Sequence, residues 1–98
     1  MSKITSTSEK RPKRYYVEAA DSYDEYNSIL AYLSKIWDAN TTEVFDVGMN
    51  ARAEVRIGDD LFFFCYDSVR GNHFEYPAST MPASLKKIIK DLEERLSD

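Results

Sequence analysis

The sequence predicts an α+β fold, a mostly antiparallel sheet of four or five strands with two amphipathic helices packed on it, in the order β-α-β-β-β-β-α. Three observations predict it: an apolar stripe with helical spacing near each end of the chain, a run of strict apolar–polar alternation between them, and the aromatic segment 61–66 (LFFFCY). The chain has 98 residues, 43% of them hydrophobic and 13% aromatic, which suits one domain with a modest core.

The charge pattern divides the chain into two parts. Residues 1–13 mix Ser, Thr, Lys and Arg without apolar periodicity, so we expect a mobile basic arm followed by a single α+β domain at 14–98. Residues 1–14 carry five basic and one acidic side chain, a net charge of +4. The other 84 residues carry 8 basic and 16 acidic side chains, a net charge of −8. An acidic body favours basic partners and disfavours nucleic acid.

The first strand and helix have clear local signals. Residues 14–20 (RYYVEAA) fit a strand, and Ser22 with Glu25 three positions later forms a capping box that opens a helix. We expect this helix to run to about Asp38, with residues 39–42 as a connection. Its apolar stripe consists of Tyr23, Tyr26, Leu30, Leu33 and Trp37, widened by Ile29 and Ile36.

The middle of the chain predicts a meander of strands. Apolar residues alternate with polar or small ones from position 45 to 57, and Gly48 divides this run into two strands, at about 43–48 and 51–57. A tight turn at 58–60 leads into a strand at 61–67, and a turn at 69–72 leads into a short strand at 73–76. Pro77 ends that strand.

The aromatic strand is apolar on both faces, because alternate residues point to opposite sides. Either it lies at the centre of the sheet with layers on both sides, or one face is covered by a partner. The two faces are Leu61, Phe63 and Cys65 on one side and Phe62, Phe64 and Tyr66 on the other.

The last element is a helix that follows Pro82, a residue favoured in the first helical turn. Its outer face carries lysine and glutamate side chains. Its apolar stripe consists of Leu85, Ile88, Ile89, Leu92 and Leu96.

No residue set in the sequence indicates catalysis, a cofactor or a metal. His73 and Glu75 fit a surface pair beside a turn, and Cys65 fits a buried structural thiol, although a His–carboxylate base or a Cys–His pair is the alternative that an enzyme would use. One Cys and one His cannot supply a structural zinc cluster. The glycines are too far apart for a phosphate-binding loop.

Size and charge favour a small acidic, non-catalytic protein-binding module that neutralises a basic partner, such as an immunity-type inhibitor of a toxin nuclease. The alternative is a structural domain that forms a homodimer through the second face of the aromatic strand. Without a membrane-length apolar run or a secretory signal, we expect a cytoplasmic protein that binds no membrane. The candidate partner-binding residues are Asp21, Asp24, Glu25, Tyr32, Asp59, Asp60, Asp67 and Tyr76.

Overall fold

Six strands and two helices follow one another in the computed structural model, which describes residues 4–6, 14–18, 20–77 and 79–96. From the second strand onward their order is β-α-β-β-β-β-α, which confirms the predicted α+β fold. The strands are β1 (Ile4–Ser6), β2 (Arg14–Val17), β3 (Asn40–Asp46), β4 (Asn50–Ile57), β5 (Asp60–Asp67) and β6 (Gly71–Glu75), and the helices are α1 (Tyr23–Ile36) and α2 (Ala83–Leu96).

The strands form one antiparallel sheet in the order β1-β2-β6-β5-β4-β3, so the aromatic strand β5 lies inside the sheet. Of the expected arm at 1–13, only 4–6 are described, and they pair with β2 as β1. The rest of the arm lies outside the described residues, and its mobility stays a prediction. In the described part of the chain, neither helix is long and apolar enough to cross a membrane.

Several element boundaries differ from the sequence prediction, including that of β6, which begins at Gly71 within the predicted turn 69–72. β2 stops at Val17, whose carbonyl accepts a hydrogen bond from the Ala20 N–H at 3.2 Å, so the strand is shorter than expected. α1 ends at Ile36 rather than Asp38, and residues 40–42, expected as a connection, open β3. The predicted break at Gly48 is confirmed: this residue has φ 83° in the turn between β3 and β4.

Helix α1 begins as the capping box predicts. The Ser22 hydroxyl accepts from the Glu25 N–H at 3.1 Å, and the Glu25 carboxylate accepts from the Ser22 N–H at 3.1 Å. The helix buries Tyr26, Ile29 and Leu33 against the sheet. Ile36, expected on the same stripe, is 55% exposed in the last turn.

Both helices pack on the same face of the sheet. The Tyr26 ring of α1 lies parallel to the Phe64 ring at a centroid distance of 5.4 Å, and Phe64 contacts Phe74 at 4.6 Å. Leu85 and Ile88 of α2 join the same core and are fully buried. Burying each side chain of this size contributes about 1.5–3 kcal/mol, so this layer supplies most of the hydrophobic stabilisation.

The opposite face of the sheet, which we call the uncovered face, has no helix against it within the described residues. There the Arg52 guanidinium lies 4.1 Å from the centre of the Phe63 ring, and Cys65 is only 5% exposed. Side chains of neighbouring strands therefore cover the second apolar face of β5 in part. Because this face of β5 is already partly covered, a homodimer formed through it has less support.

Replacing Gly71 with alanine is expected to lower the free energy of unfolding by about 2–4 kcal/mol. Gly71 has φ 86°, and an added Cβ would lie 2.7 Å from the Asp21 Cβ and 3.3 Å from the Asp21 Cα, so strain and a clash with the backbone add together. Urea denaturation measures the change. The control is Gly48→Ala, which has a similar φ but nothing within 4 Å, so about 1–2 kcal/mol is expected. Equal losses in the two variants would contradict the clash.

Candidate functional site

One end of the sheet gathers carboxylates from three separate segments. Asp46 ends β3, Asp67 ends β5, and Asp21 and Asp24 lie at the start of α1. Gly71 is the register partner of Asp67 and packs against Asp21, which brings the helix start to the edge of the sheet. We call Asp21, Asp24, Asp46 and Asp67 the acidic end.

Two hydrogen bonds hold the acidic end together. The Tyr23 hydroxyl donates to the Asp46 carboxylate at 2.5 Å, which ties α1 to β3. The Ser68 N–H donates to the Met49 carbonyl at 2.8 Å, which ties the β5–β6 turn to the β3–β4 turn. The surface is therefore built from residues far apart in the sequence but fixed by backbone and side-chain contacts.

Exposed apolar side chains lie in the same two turns. Val47 is 71% exposed, Met49 is 67% exposed and Val69 is 88% exposed. We call these three residues the apolar tips. Apolar side chains beside charged groups are typical of a protein-binding surface. In such a surface the centre is desolvated and the rim stays polar.

Hydrogen bonds favour the charged state of two carboxylates of the acidic end, Asp46 and Asp67. The hydrogen bond from Tyr23, followed by that from the Gly48 N–H, lowers the pKa of Asp46 below its ordinary value. The hydrogen bonds from the N–H groups of Val69 and Arg70 lower the pKa of Asp67 in the same way. Both groups therefore carry full negative charge at neutral pH.

A second cluster of polar side chains lies on the uncovered face and centres on Glu75, which is 5% exposed. Its carboxylate contacts His73 Nε2 at 3.1 Å, Arg52 Nη1 at 3.1 Å and Arg14 Nε at 2.9 Å. The hydrogen bond with His73, and then those from Arg52 and Arg14, lower the pKa of Glu75 to about 2. Glu75 is thus a buried carboxylate neutralised by its neighbours.

Cys65 and His73 are register partners on the adjacent strands β5 and β6, so the two residues lie side by side, as the alternative of a Cys–His pair requires. Burial raises the pKa of the Cys65 thiol to about 12, so the group is protonated at neutral pH and is a poor nucleophile. The His73 ring hydrogen-bonds Glu75, and Cys65 contacts Arg52 at 3.4 Å. The arrangement lacks the thiolate that cysteine catalysis requires.

The structure brings together half of the sequence-predicted partner-binding residues. Asp21, Asp24, Glu25 and Asp67 all lie at or beside the acidic end. Asp21 and Asp24 are exposed, whereas Glu25 belongs to the capping box and Asp67 holds the β5–β6 turn.

Asp59 and Asp60 lie at the other end of the sheet, in the β4–β5 hairpin, because β5 runs between its two turns for about 24 Å. Asp60 accepts a hydrogen bond from the Ser84 N–H at 2.9 Å and so caps α2. Asp59 is exposed. These two carboxylates cannot share one compact contact surface with the acidic end.

Neither Tyr32 nor Tyr76, both candidate partner-binding residues, has an exposed side chain. Tyr76 is 6% exposed and joins the core, because β6 is covered by the helix layer at its end. Tyr32 is half-buried, and its hydroxyl donates to Asp91 of α2. Asp91 also accepts from Trp37 Nε1 at 3.1 Å and Arg95 Nε at 3.0 Å, so Tyr32 helps to join the two helices.

The sequence analysis missed Asp46 and the apolar tips. Val47 fell within the predicted strand 43–48, and Met49 lay in the predicted break but continues the apolar alternation that runs to position 57. Their exposure follows from the turn at Gly48, which was recognised but was not used to place its neighbours outside the core. No family model, curated protein or solved structure matches the chain.

Asp91→Asn is expected to destabilise the protein by about 1–2 kcal/mol at neutral pH, since it weakens charge-assisted hydrogen bonds between the helices. Burial alone would raise the pKa of Asp91, but the hydrogen bonds from Tyr32, Trp37 and Arg95 together lower it. The stabilisation is therefore complete above the unfolded pKa of about 3.9 and is lost as the pH falls below it. Urea denaturation of the wild type and of Asp91→Asn at several pH values measures this effect. The difference between their free energies of unfolding should decrease between about pH 5 and pH 3.

The control for this change is Asp59→Asn in the exposed β4–β5 turn, where we expect a change under about 0.5 kcal/mol. A difference for Asp91→Asn that stays constant down to pH 3 would mean that the carboxylate charge does not support the helix contact.

Proposed function

We propose that this chain is a small acidic, non-catalytic protein-binding module that docks on a basic protein through its acidic end. The observation that carries the proposal is the arrangement of Val47, Met49 and Val69, all more than 60% exposed, beside the four carboxylates. Exposed apolar side chains on adjacent turns with a charged surround are a common feature of protein-binding surfaces.

Charge and apolar area have different roles in this docking. Residues 15–98 carry a net charge of −8, and in the segments 20–24, 46–50 and 67–72 the only basic side chain is Arg70. Such a field steers a basic partner and raises the association rate, while buried apolar contacts set how long the complex lasts. Met49 suits this role, since the flexible side chain of methionine adapts to a partner's surface.

The most specific version of the proposal is an immunity-type inhibitor of a toxin nuclease. A nuclease binds phosphates through a basic groove, and an ordered set of carboxylates can occupy such a groove in place of the nucleic acid. Asp46 and Asp67 support this version, because hydrogen bonds fix both groups and keep them ionised. Preformed groups lose less conformational entropy on binding.

The chemistry of the uncovered face supports a role without catalysis. Burial keeps the Cys65 thiol protonated at neutral pH, so it provides no thiolate nucleophile.

A second candidate function is self-association through β3. This strand forms one edge of the sheet, and its residues Val44 and Phe45 are 54% and 43% exposed. An edge strand with apolar side chains is a template for pairing with a second copy. A register shift between Glu43 and Phe45 disturbs the edge, which makes this candidate the weaker of the two.

Neutralising the acidic end should weaken binding to a basic partner. We expect Asp21→Asn combined with Asp24→Asn to lower the affinity at low salt by about tenfold, mainly through the association rate, and Met49→Ser to act mainly on the dissociation rate. Immobilised wild-type and variant proteins are exposed to lysate of the native cell, and the retained proteins are quantified by mass spectrometry. The selectively retained protein is then purified for binding kinetics and for nuclease assays with and without this chain.

The control is Asp59→Asn, which removes one charge at the opposite end of the sheet, against two in the double variant, and should leave binding unchanged. Retention of a basic protein that depends on Asp21, Asp24 and Met49, but not on Asp59, supports the proposal. If every retained protein binds all variants equally, or if none is basic, the acidic end is not a docking surface.

For self-association, Val44→Lys places a charge on the β3 edge and should convert a dimer into a monomer without a loss of stability above about 0.5 kcal/mol. Light scattering over a range of protein concentrations measures the change. A wild-type protein that stays monomeric at all concentrations rules this candidate out.

A further inference from the structure

Three metal-ligating side chains converge on the uncovered face, at a place separate from the acidic end. Cys65 of β5 is the register partner of His73 of β6, and Glu75 lies two residues after His73, on the same face of the strand. One ligand atom from each lies within 4.8 Å of the others. All three residues are less than 10% exposed.

The donor set is one that a particular class of ion prefers. A thiolate sulfur, an imidazole nitrogen and a carboxylate oxygen together suit Zn²⁺ and Co²⁺, which bind all three in tetrahedral sites. The hard ions Mg²⁺ and Ca²⁺ take oxygen ligands instead. Because two adjacent strands carry the ligands, their spacing is fixed by the sheet itself.

The His73 ring is buried and faces the cluster with one of its two nitrogens. His73 is 7% exposed, and its Nδ1 is buried without a hydrogen-bond partner in the part of the chain that the structure describes. Only Nε2 is engaged, with Glu75. Since Nε2 faces the Glu75 carboxylate, it is the ring nitrogen that can bind the same ion as Glu75, and the ion would take the place of the present hydrogen bond.

The guanidinium of Arg52 now provides the positive charge beside Cys65 and Glu75. Its Nη1 lies 3.4 Å from Cys65 Sγ and 3.1 Å from a Glu75 oxygen, so the guanidinium touches two of the three ligands. The Arg52 side chain is 30% exposed and borders an open depression of about 250 Å³, which leaves room for it to turn away. An ion and the guanidinium cannot both occupy this position.

We propose that Cys65, His73 and Glu75 bind a thiophilic divalent cation such as Zn²⁺, and that the ion displaces the Arg52 guanidinium. On binding, the thiol loses its proton to solvent, one sulfur–metal bond forms, and the neutral imidazole and the carboxylate complete three protein ligands. The fourth position faces the depression and takes water. The site does not depend on the proposed docking function, since none of its ligands belongs to the acidic end.

The test is titration of the full-length protein with CoCl₂ and then ZnCl₂, followed by absorption spectroscopy. The chain contains one cysteine and one histidine, so a thiolate-to-cobalt charge-transfer band can come only from Cys65. We expect this band to saturate at one equivalent of Co²⁺ and to disappear when Zn²⁺ replaces it. No band with Co²⁺ in large excess overturns the proposal.

Variants separate the site from unspecific binding. Cys65→Ser should abolish the band, and His73→Asn and Glu75→Gln should each weaken Co²⁺ binding by at least about tenfold. Arg52→Met should strengthen binding, because it removes the competing cation and leaves all three ligands. Its control is Arg56→Met. Arg56 lies on the same strand as Arg52, but its ion-pair partner is Glu54. Circular dichroism identifies any variant that fails to fold.

Arg52→Met decides the question if the ligand variants do not fold, since it keeps every ligand. Tighter Co²⁺ binding in Arg52→Met than in Arg56→Met supports the proposed exchange. Equal binding in these two variants and the wild type, or Co²⁺ binding without a thiolate band, overturns it.

Discussion

The structure depends on one constraint, the two-residue repeat of a β-strand at the centre of an antiparallel sheet. In β5 this repeat sends Phe62 and Phe64 towards the helices, and Phe63 and Cys65 towards the uncovered face. Since both helices pack on one face, only that face acquires a continuous apolar core. The other face has to cover its apolar atoms with the long side chains of neighbouring strands, and Arg52 over Phe63 is the clearest case.

That requirement explains why charged groups are buried on the uncovered face. The aliphatic part of the Arg52 side chain and its guanidinium, which lies over the Phe63 ring, cover apolar surface. The partly buried charge of Arg52 then needs an oppositely charged partner within the sheet. Glu75 provides it and binds Arg14 and His73 at the same time. Breaking one of these contacts would leave a charge partly desolvated, so the cluster acts as a unit. The donor set proposed to bind a metal ion is therefore also part of the sheet's own stabilisation.

Most carboxylates that make the chain acidic also have a structural contact. Asp60 caps α2, Asp91 joins the helices, and Asp46 and Asp67 hold turns. Net charge alone therefore overstates the acidity that a partner can use. The acidic end differs because fixed carboxylates there lie beside exposed apolar side chains on two linked turns. The fold sets its geometry in advance, which under the proposed docking function favours fast and specific association.

The sequence by itself determined the class of fold, the position of both helices, the strands of the meander and the capping box at Ser22. These features follow from local periodicity and from short-range hydrogen bonds, which a sequence displays directly. It also identified Asp21, Asp24 and Asp67 as exposed or turn carboxylates. Only the tertiary structure decided that Tyr76 is buried, that Tyr32 joins α1 to α2, and that the eight predicted contact residues divide between two ends of the sheet.

Strand register was the missing information for both surfaces. Local patterns place a residue on a face of its own strand, but not opposite a particular residue of the next strand. Glu75 contacts Arg14, 61 positions away in the sequence, because β2 pairs with β6. It contacts Arg52, 23 positions away, because only β5 lies between β6 and β4. The apolar tips likewise come together only when two hairpin turns lie side by side. Such long-range pairings depend on how the whole chain buries its apolar surface, so no short segment of the sequence contains them.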